Sequence, residues 1–580
     1  MIKVNGRILL CAALVSAALS GWPVSSGLER AAQRTMDYDF TVCGVPYKFP
    51  GHKIDWNYNP TYNGYREWPW QFARHYFLKD LSAYYRESGD EKAAQTFVDI
   101  LTSFIDQVPP PPEGAHAGDT KSWRTIDTGL RATGWIASYG AFTNSPAFTP
   151  AFRNKFIASL KDHLVRLRPA KTSNNWRIME LRGIVDIVLE FPKLDPHGAL
   201  LKGAETELKA LLDSQLYPDG FQFELAPGYH SILDADYCAI ADKYRAAGRT
   251  PPAFLEAGVE RAFEMYAHIA DPSRRCPAVN DSGRMHIVQR MAKAAELFPK
   301  RTDFLWLATD GREGTPPDYL SYAFPYAGAV VFRNSWAADA VWGYVDMSPY
   351  GRSHQHEDKL NFLLYAFGRM MLTEGGCYAY DTSEMRKYVL STRAHNTIRI
   401  DGKDQDADRG YRWDPAMLHQ KADLAFSVSP DKDFARATFS AGYGKGEAYD
   451  DSVTHTRTVE FVKSRETPFF RITDELVASN GKTHTYEQMW HLEKCELSLK
   501  DDSFVADFGK GVVLKARARS ENGRFVDLMG TKEPEYQGWM PIEPPGPHEH
   551  RPIHTPVLKG SFAGRTKIVT IFLPMRRHET

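Results

Sequence analysis

Between Tyr350 and Tyr380 the chain reads YGRSHQHEDKLNFLLYAFGRMMLTEGGCYAY, the densest group of residues able to move protons or hold a metal. His354, His356 and Asp358 alternate just before an apolar run. Glu374 follows 18 residues after His356, and His395 follows in STRAHNTIRIDG. Imidazole is the side chain most easily poised for proton transfer near neutral pH. Imidazoles and a carboxylate can together make a divalent-metal site, with one histidine left over as an acid or base. The same residues could also be solvated polar groups on sheet edges.

Groups so spread out must be positioned by regular elements. Ala93, Phe97, Ile100, Leu101, Phe104, Ile105 and Val108 recur at helical spacing before Pro109 to Pro112. Phe156, Ile157, Leu160, Leu164 and Leu167 do the same before Pro169, and a third stripe runs from Leu200 to Leu212 before Pro218-Asp219-Gly220. Helix after helix with Pro- or Gly-marked turns predicts antiparallel hairpins, as in an (α/α) toroid. From about Tyr322 the period changes. Val453, His455, Arg457, Val459 and Phe461 alternate with Thr454, Thr456, Thr458 and Glu460. Asp401-Gly402 and Asn480-Gly481 mark turns, so the second half reads as an antiparallel β-sandwich. The expected fold class is therefore multidomain α and β: an N-terminal (α/α) toroid over 21–318, then a sandwich over 319–580. Asp310 to Asp318 is the expected hinge, and Gln537 to Pro556 an expected surface loop.

The chain has 580 residues, more than one hydrophobic core organises. Its formal net charge of −1 gives no global attraction to nucleic acid or anionic membrane, so a polyanion would have to meet local basic patches. Thirteen Trp and 28 Tyr suit stacking on sugar rings, and equally a large β-rich core. Lys3 and Arg7 precede an apolar stretch from Ile8 to Leu19, too short to span a bilayer. Residues 1–20 read as a secretory signal, implying a periplasmic or secreted protein. Cys43, Cys238, Cys276, Cys377 and Cys495 are odd in number and scattered, which is no disulfide framework.

Five pieces carry a family resemblance: FTNSPAFTPAF (142–152), SNNWRIMELRGI (173–184), YPDGFQFELAPGYH (217–230), GRSHQHEDKLNFLLYAFGRMMLTEGG (351–376) and STRAHNTIRIDG (391–402). In this order they resemble the heparinase II/III superfamily of polysaccharide lyases, in particular its heparinase III (heparan-sulfate lyase) branch. The resemblance implies a toroid followed by a sandwich and β-elimination next to a uronic acid. In that reaction a base removes the C5 proton, the carboxylate is neutralised, and an acid protonates the leaving oxygen at C4.

By the same resemblance Asn175 binds the uronate carboxylate, Tyr229 protonates the leaving oxygen and can serve as base, and His354 is the opposing catalytic histidine. His395 is shared between catalysis and metal. His356, Glu374 and His395 match the metal-ligand positions of heparinase II-like members, where the acidic ligand is usually Asp. The implied cofactor is one structural divalent ion, zinc by ligand type, with no organic cofactor. Trp123, Arg124 and Arg131 in KSWRTIDTGLR are substrate-binding candidates, since Arg suits sulfate or carboxylate and Trp suits sugars. Trp68, Arg74 and His75, the pair Asp281-Ser282, and Glu224 and His230 beside Tyr229 are weaker candidates. Asn175 could instead cap the helix that begins near Trp176.

The expected partner is an acidic polysaccharide, with no nucleic acid and no membrane span; the sequence sets no oligomeric state. Lyases for alginate, hyaluronan or another uronate polymer fit the same residues. A glycoside hydrolase would need paired carboxylates such as Glu224 and Asp281. A catalytically silent glycan-binding protein would not need Asn175, Tyr229 and His354 together.

Overall fold

The computed structural model describes residues 25–118, 122–170, 172–349, 351–406, 414–463, 467–542 and 550–577. The expected signal over 1–20 lies outside them. Helices dominate up to Ala308 and strands from Tyr322 onward, so the expected order of fold classes holds. By contacts the chain forms two compact units: one up to Leu208 with Asp242–Thr250, the other Lys209–Ala241 with Pro251 onward. The segment Asp310 to Asp318 lies inside the second unit, where Gly311 N–H donates to Trp306 O at 2.8 Å. Among the described residues no helix is long and apolar enough to cross a membrane.

In the first unit the periodic stripes are helices. Glu91–Gln107 buries Ala93, Phe97, Ile100, Leu101 and Phe104, and Asp90 caps it by accepting from Lys92 N–H. Pro150–Leu167 begins with Pro at its first turn, behind the cap Thr149, and buries Phe152, Phe156, Leu160, Leu164 and Leu167. Two further helices, Thr125–Phe142 and Asn174–Glu190, are buried on most sides and show little amphipathic contrast. They touch backbone to backbone. A Cβ on Gly129 would sit 2.6 Å from Met179 O, and one on Gly183 2.8 Å from Gly129 O. Alanine at either position would force the helices apart.

The second unit holds the sheets. A five-stranded antiparallel meander runs from Tyr322–Ala323 to Arg369–Leu372. An eight-stranded sheet has Val453–Val462, Phe469–Ala478 and Arg565–Arg576 side by side at its centre, and a four-stranded sheet contains Ile398–Ile400 and Thr483–Met489. All three supply one core: Phe332 and Phe362, Phe461, Phe470 and Phe572, Ile398 and Tyr486. Val453–Val462 buries every second residue, as its alternation predicts. Phe362–Ala366 is buried on both faces instead. The flanks of the expected loop at 537–556 are ordered differently from expectation. Trp539–Pro541 pairs antiparallel with His550–Pro552.

Candidate active site

Three loops of the second unit are laced together. Asn280 Nδ2 donates to Leu225 O at 2.9 Å, and its Oδ1 accepts from His356 N–H at 3.1 Å. Asp281 N–H donates to His354 O at 3.1 Å, and Gly228 N–H to Ser282 Oγ at 2.8 Å. Gln355 Nε2 donates to Glu224 O. A Cβ on Gly351 would meet Gln355 and Phe223 O at 2.8 Å, so the loop carrying the histidines presses directly onto the strand-like segment before Tyr229. Leu225, Asn280 and His354 all hold left-handed φ, at 52°, 54° and 60°. Such conformations cost of order 1–3 kcal/mol each and cluster at functional sites.

This lacing stacks the Tyr229 ring on the His354 ring, with centroids 3.6 Å apart and planes 12° from parallel. Tyr380 bridges them. Its hydroxyl bonds the Tyr229 hydroxyl and lies 3.2 Å from His354 Nδ1. Beneath sits Asp281, whose side chain is 1% exposed. Its Oδ2 is 3.1 Å from His354 Nδ1 and its Oδ1 is 3.1 Å from His356 Nε2. Arg386, on the helix Glu384–Leu390, donates to both oxygens at 2.5 and 2.9 Å and lies 4.7 Å over the Tyr380 ring. Burial tends to raise the Asp281 carboxyl. The hydrogen bonds from His354, His356 and Arg386 outweigh it and hold the group well below the usual carboxylate range. Burial pushes the Tyr229 phenol well above its ordinary value, with the Asp281 and Glu224 charges adding to the shift and the Tyr380 hydrogen bond opposing it. Tyr229 is thus a neutral hydroxyl at physiological pH.

A second polar cluster lies deeper in the same unit. One ligand atom each from Asp358, Glu374 and His395 falls within 4.8 Å of the others. Glu374 Oε2 accepts from His395 Nδ1 at 2.9 Å and from Asn361 Nδ2 at 2.6 Å. Both Asp358 oxygens, Glu374 Oε1 and His356 Nδ1 are buried with no hydrogen-bond partner. Burial raises the Asp358 and Glu374 carboxyls; for His395 the Glu374 carboxylate outweighs burial and raises the imidazole. Asp346, Asp358 and Glu374 bring three negative charges, and Lys359, 2.8 Å from Asp346 and 3.6 Å from Asp358, returns one. His395, with Nδ1 on Glu374 and Nε2 3.1 Å from Val389 O, adds a positive charge unless it gives up a proton to a metal; with it neutral, as a ligand must be, a divalent cation would neutralise the remaining two. These orphaned oxygens and the charge count fit a metal. The expected trio was His356, Glu374 and His395; the tight group contains Asp358 in place of His356. The His356 ring lies 5.3 Å from that of His395, with its Nε2 turned to Asp281.

The first unit carries Asn175, buried within the opening turn of Asn174–Glu190. Capping is not its role: Ser173 is the N-cap residue, and Asn174 has a left-handed φ of 59°. Trp123, Arg124 and Arg131 are 3%, 5% and 0% exposed. Trp123 Nε1 donates to Val108 O, Arg124 pairs with Asp127, and Arg131 donates to His163 and to the carbonyls of Ala73 and Ser122. They serve the helix core rather than an open surface. Trp68 and His75 are likewise fully buried, and Arg74 bonds Asp127. The exposed aromatic nearby is Trp176, 37% accessible, against which the Arg124 guanidinium lies at 5.1 Å. His230 clamps backbone, accepting from Gln222 N–H and bonding Ala262 O. Sequence reasoning passed over Tyr380 and Arg386. No motif spacing marks them, and only their place in the segment after Gly376 hinted at them.

The family model described as Heparinase II/III N-terminus matches residues 15–306, and that described as Heparinase II/III-like, C-terminal matches residues 316–537. A heparin-sulfate lyase of Bacteroides stercoris is 27% identical over 520 residues, covering 84% of this chain and 72% of that protein. One from Pedobacter heparinus is 28% identical over 395 residues, covering 66% of this chain and 59% of the other. A crystal structure titled heparinase III superposes with a TM-score of 0.82 at 18% identity, covering 98% of this chain and 87% of that one. A heparan sulfate lyase structure from Pedobacter heparinus gives a TM-score of 0.70 at 20% identity, covering 97% and 85%.

Proposed function

The chain belongs to the heparinase II/III family, and from that premise we propose that it is a polysaccharide lyase acting on a glycosaminoglycan of the heparan sulfate class. The observation that carries this reading is the stack of Tyr229 on His354, two proton-transfer groups from distant segments brought to one partly exposed rim. His354 takes the C5 proton as base. The C5–H electrons form the C4–C5 double bond, the C4–O bond breaks, and the neutral Tyr229 hydroxyl gives its proton to the leaving oxygen. A phenol held neutral by burial is suited to the acid role and poorly suited to the base role. His395 is fully buried and bonded to Glu374, which favours the metal role over direct catalysis.

Asp358, Glu374 and His395, with the Nδ1 of His356, would hold one divalent ion, and zinc suits imidazole and carboxylate donors. When bound, the ion supplies countercharge and ties the His356 loop to the segments of Glu374 and His395. Elimination needs no activated water. The charged-then-apolar stretch Lys3 to Leu19 supports export to the periplasm or beyond.

The test is a panel of heparan sulfate, hyaluronan and alginate, followed by ultraviolet absorbance of the unsaturated uronide. Absorbance growing with heparan sulfate is expected. New reducing ends without that absorbance would mean hydrolysis and overturn the reading.

A further inference from the structure

Taking the base role of His354 as given, we infer that Asp281 is a positioning residue that sets, in opposite senses, which ring nitrogen carries the proton in His354 and in His356. A carboxylate can only accept hydrogen bonds. Its Oδ2 faces His354 Nδ1 and its Oδ1 faces His356 Nε2, each at 3.1 Å. His354 is therefore an Nδ1–H imidazole with its lone pair on Nε2. His356 is an Nε2–H imidazole with its lone pair on Nδ1, the atom that has no protein partner. One carboxylate thus leaves a lone pair on Nε2 of His354 for proton abstraction and one on the unpartnered Nδ1 of His356.

Asp281 is itself immobilised. The two N–H groups of Arg386 occupy one site on each oxygen, so four charge-assisted contacts converge on a carboxylate that is 1% exposed. Its backbone is fixed by Asp281 N–H to His354 O and by the Asn280 bonds on either side. An amide in its place would turn an NH2 toward a ring nitrogen or toward Arg386. It would either impose the wrong tautomer or break the Arg386 pair.

The experiment is a double-mutant cycle with Asp281→Asn and His354→Ala, read as kcat and KM from product absorbance. Asp281→Asn should lower kcat by about 10²- to 10⁴-fold through the wrong tautomer, as in other carboxylate–histidine pairs, with KM changed less than about threefold. The double variant should be no slower than His354→Ala alone within about threefold, because Asp281 acts through His354. Asp281→Glu, which keeps the acceptor, should recover at least about tenfold over Asp281→Asn. Undiminished kcat in Asp281→Asn, or losses that multiply in the double variant, would overturn the inference. Should Asp281→Asn not accumulate as folded protein, Arg386→Lys carries the test. It keeps the charge but loses one of two hydrogen bonds, and about a tenfold fall in kcat at constant KM is expected; unchanged kcat overturns the inference. A wild-type protein that forms no unsaturated product from any uronate glycan would instead sink the lyase reading, a separate failure.

Discussion

Asp281 and Asp474 are gripped by the same kinds of side chain in two different settings. Asp474 accepts from His455 at 2.6 Å, from Arg457 at 2.7 and 3.0 Å, and from Gln488 at 2.7 Å. It sits on the paired strands Val453–Val462 and Phe469–Ala478, where the side chains of His455, Arg457 and Asp474 are all 0% exposed. Asp281 has the equivalent kit, with Arg386 and two histidines. It hangs on loops, though, and its partner His354 is 26% exposed and stacked on Tyr229. An Asp–His–Arg set is therefore not in itself a catalytic signature. On rigid strands it is internal scaffolding, and the strained loop places one ring where a substrate can meet it.

The largest expected effect separates chemistry from scaffolding on the Asp281 side. Tyr229→Phe removes one hydroxyl and should cost about one hydrogen bond of stability, roughly 1 kcal/mol. The same change should lower kcat by about 10²- to 10⁴-fold through loss of the proton donor. Steady-state kinetics beside a thermal melt check both, and near-normal kcat would hand the acid role to Tyr380. On the other side, Asp474→Asn should invert the pattern. It leaves the Arg457 guanidinium buried without its carboxylate, a change that costs about 3–5 kcal/mol. Urea denaturation should show that loss, while kcat at a temperature where the variant is folded stays within about twofold of wild type.

The same contrast explains what could be read from the chain alone. His455 and Arg457 alternate with threonines, so the strand holding Asp474 was legible as a period of two, though its buried ion pair was not. The helices Glu91–Gln107 and Pro150–Leu167 were legible because each buries one face. Thr125–Phe142 was not, and Asn174–Glu190 showed only its start near Trp176, because burial on most sides erases the amphipathic stripe. Tyr229 and His354 entered through motif resemblance, and the structure stacks them. Tyr380 and Arg386 reach the site only through tertiary folding. Trp123, Arg124 and Arg131 show the reverse ambiguity: residue types suited to a sulfated sugar also suit a buried helix interface, and the structure places these three in the latter.

A smaller effect appears in acid. Despite burial, Arg457 and His455 hold the Asp474 carboxyl well below its ordinary value. A depressed carboxyl contributes stability above its unfolded pKa of about 3.9, and that contribution drains as pH falls toward the folded value. Stability should therefore decline below about pH 5. Asp474→Asn, which starts lower, should decline less steeply, by up to about 1.4 kcal/mol per pH unit near pH 3. Urea midpoints at pH 5, 4 and 3 measure this. Parallel slopes for the two proteins would show that Asp474 keeps its proton balance on unfolding.

The smallest effect concerns a carboxylate unlike either of these. Asp358 is fully buried with both oxygens unpartnered; Lys359, 3.6 Å away and already bonded to Asp346, faces it with opposite charge, and His395 adds to that. Without a cation this group is a liability, since an unsatisfied buried acceptor costs about 1–3 kcal/mol. With a cation it becomes a ligand, and binding to the folded state alone adds stability. Asp358→Asn should therefore have opposite signs in two preparations. In chelator-treated protein it removes an uncompensated charge and should raise stability by about 1 kcal/mol. In protein reloaded with zinc it removes a ligand and should lower stability by a similar amount, with zinc content falling below one equivalent. Melting the two proteins in both conditions gives four curves, and the crossing of their order is the signature. If Asp358→Asn is stabilising in both, the cluster is a charge-strained core kept together by Lys359 and His395, and the metal assignment falls.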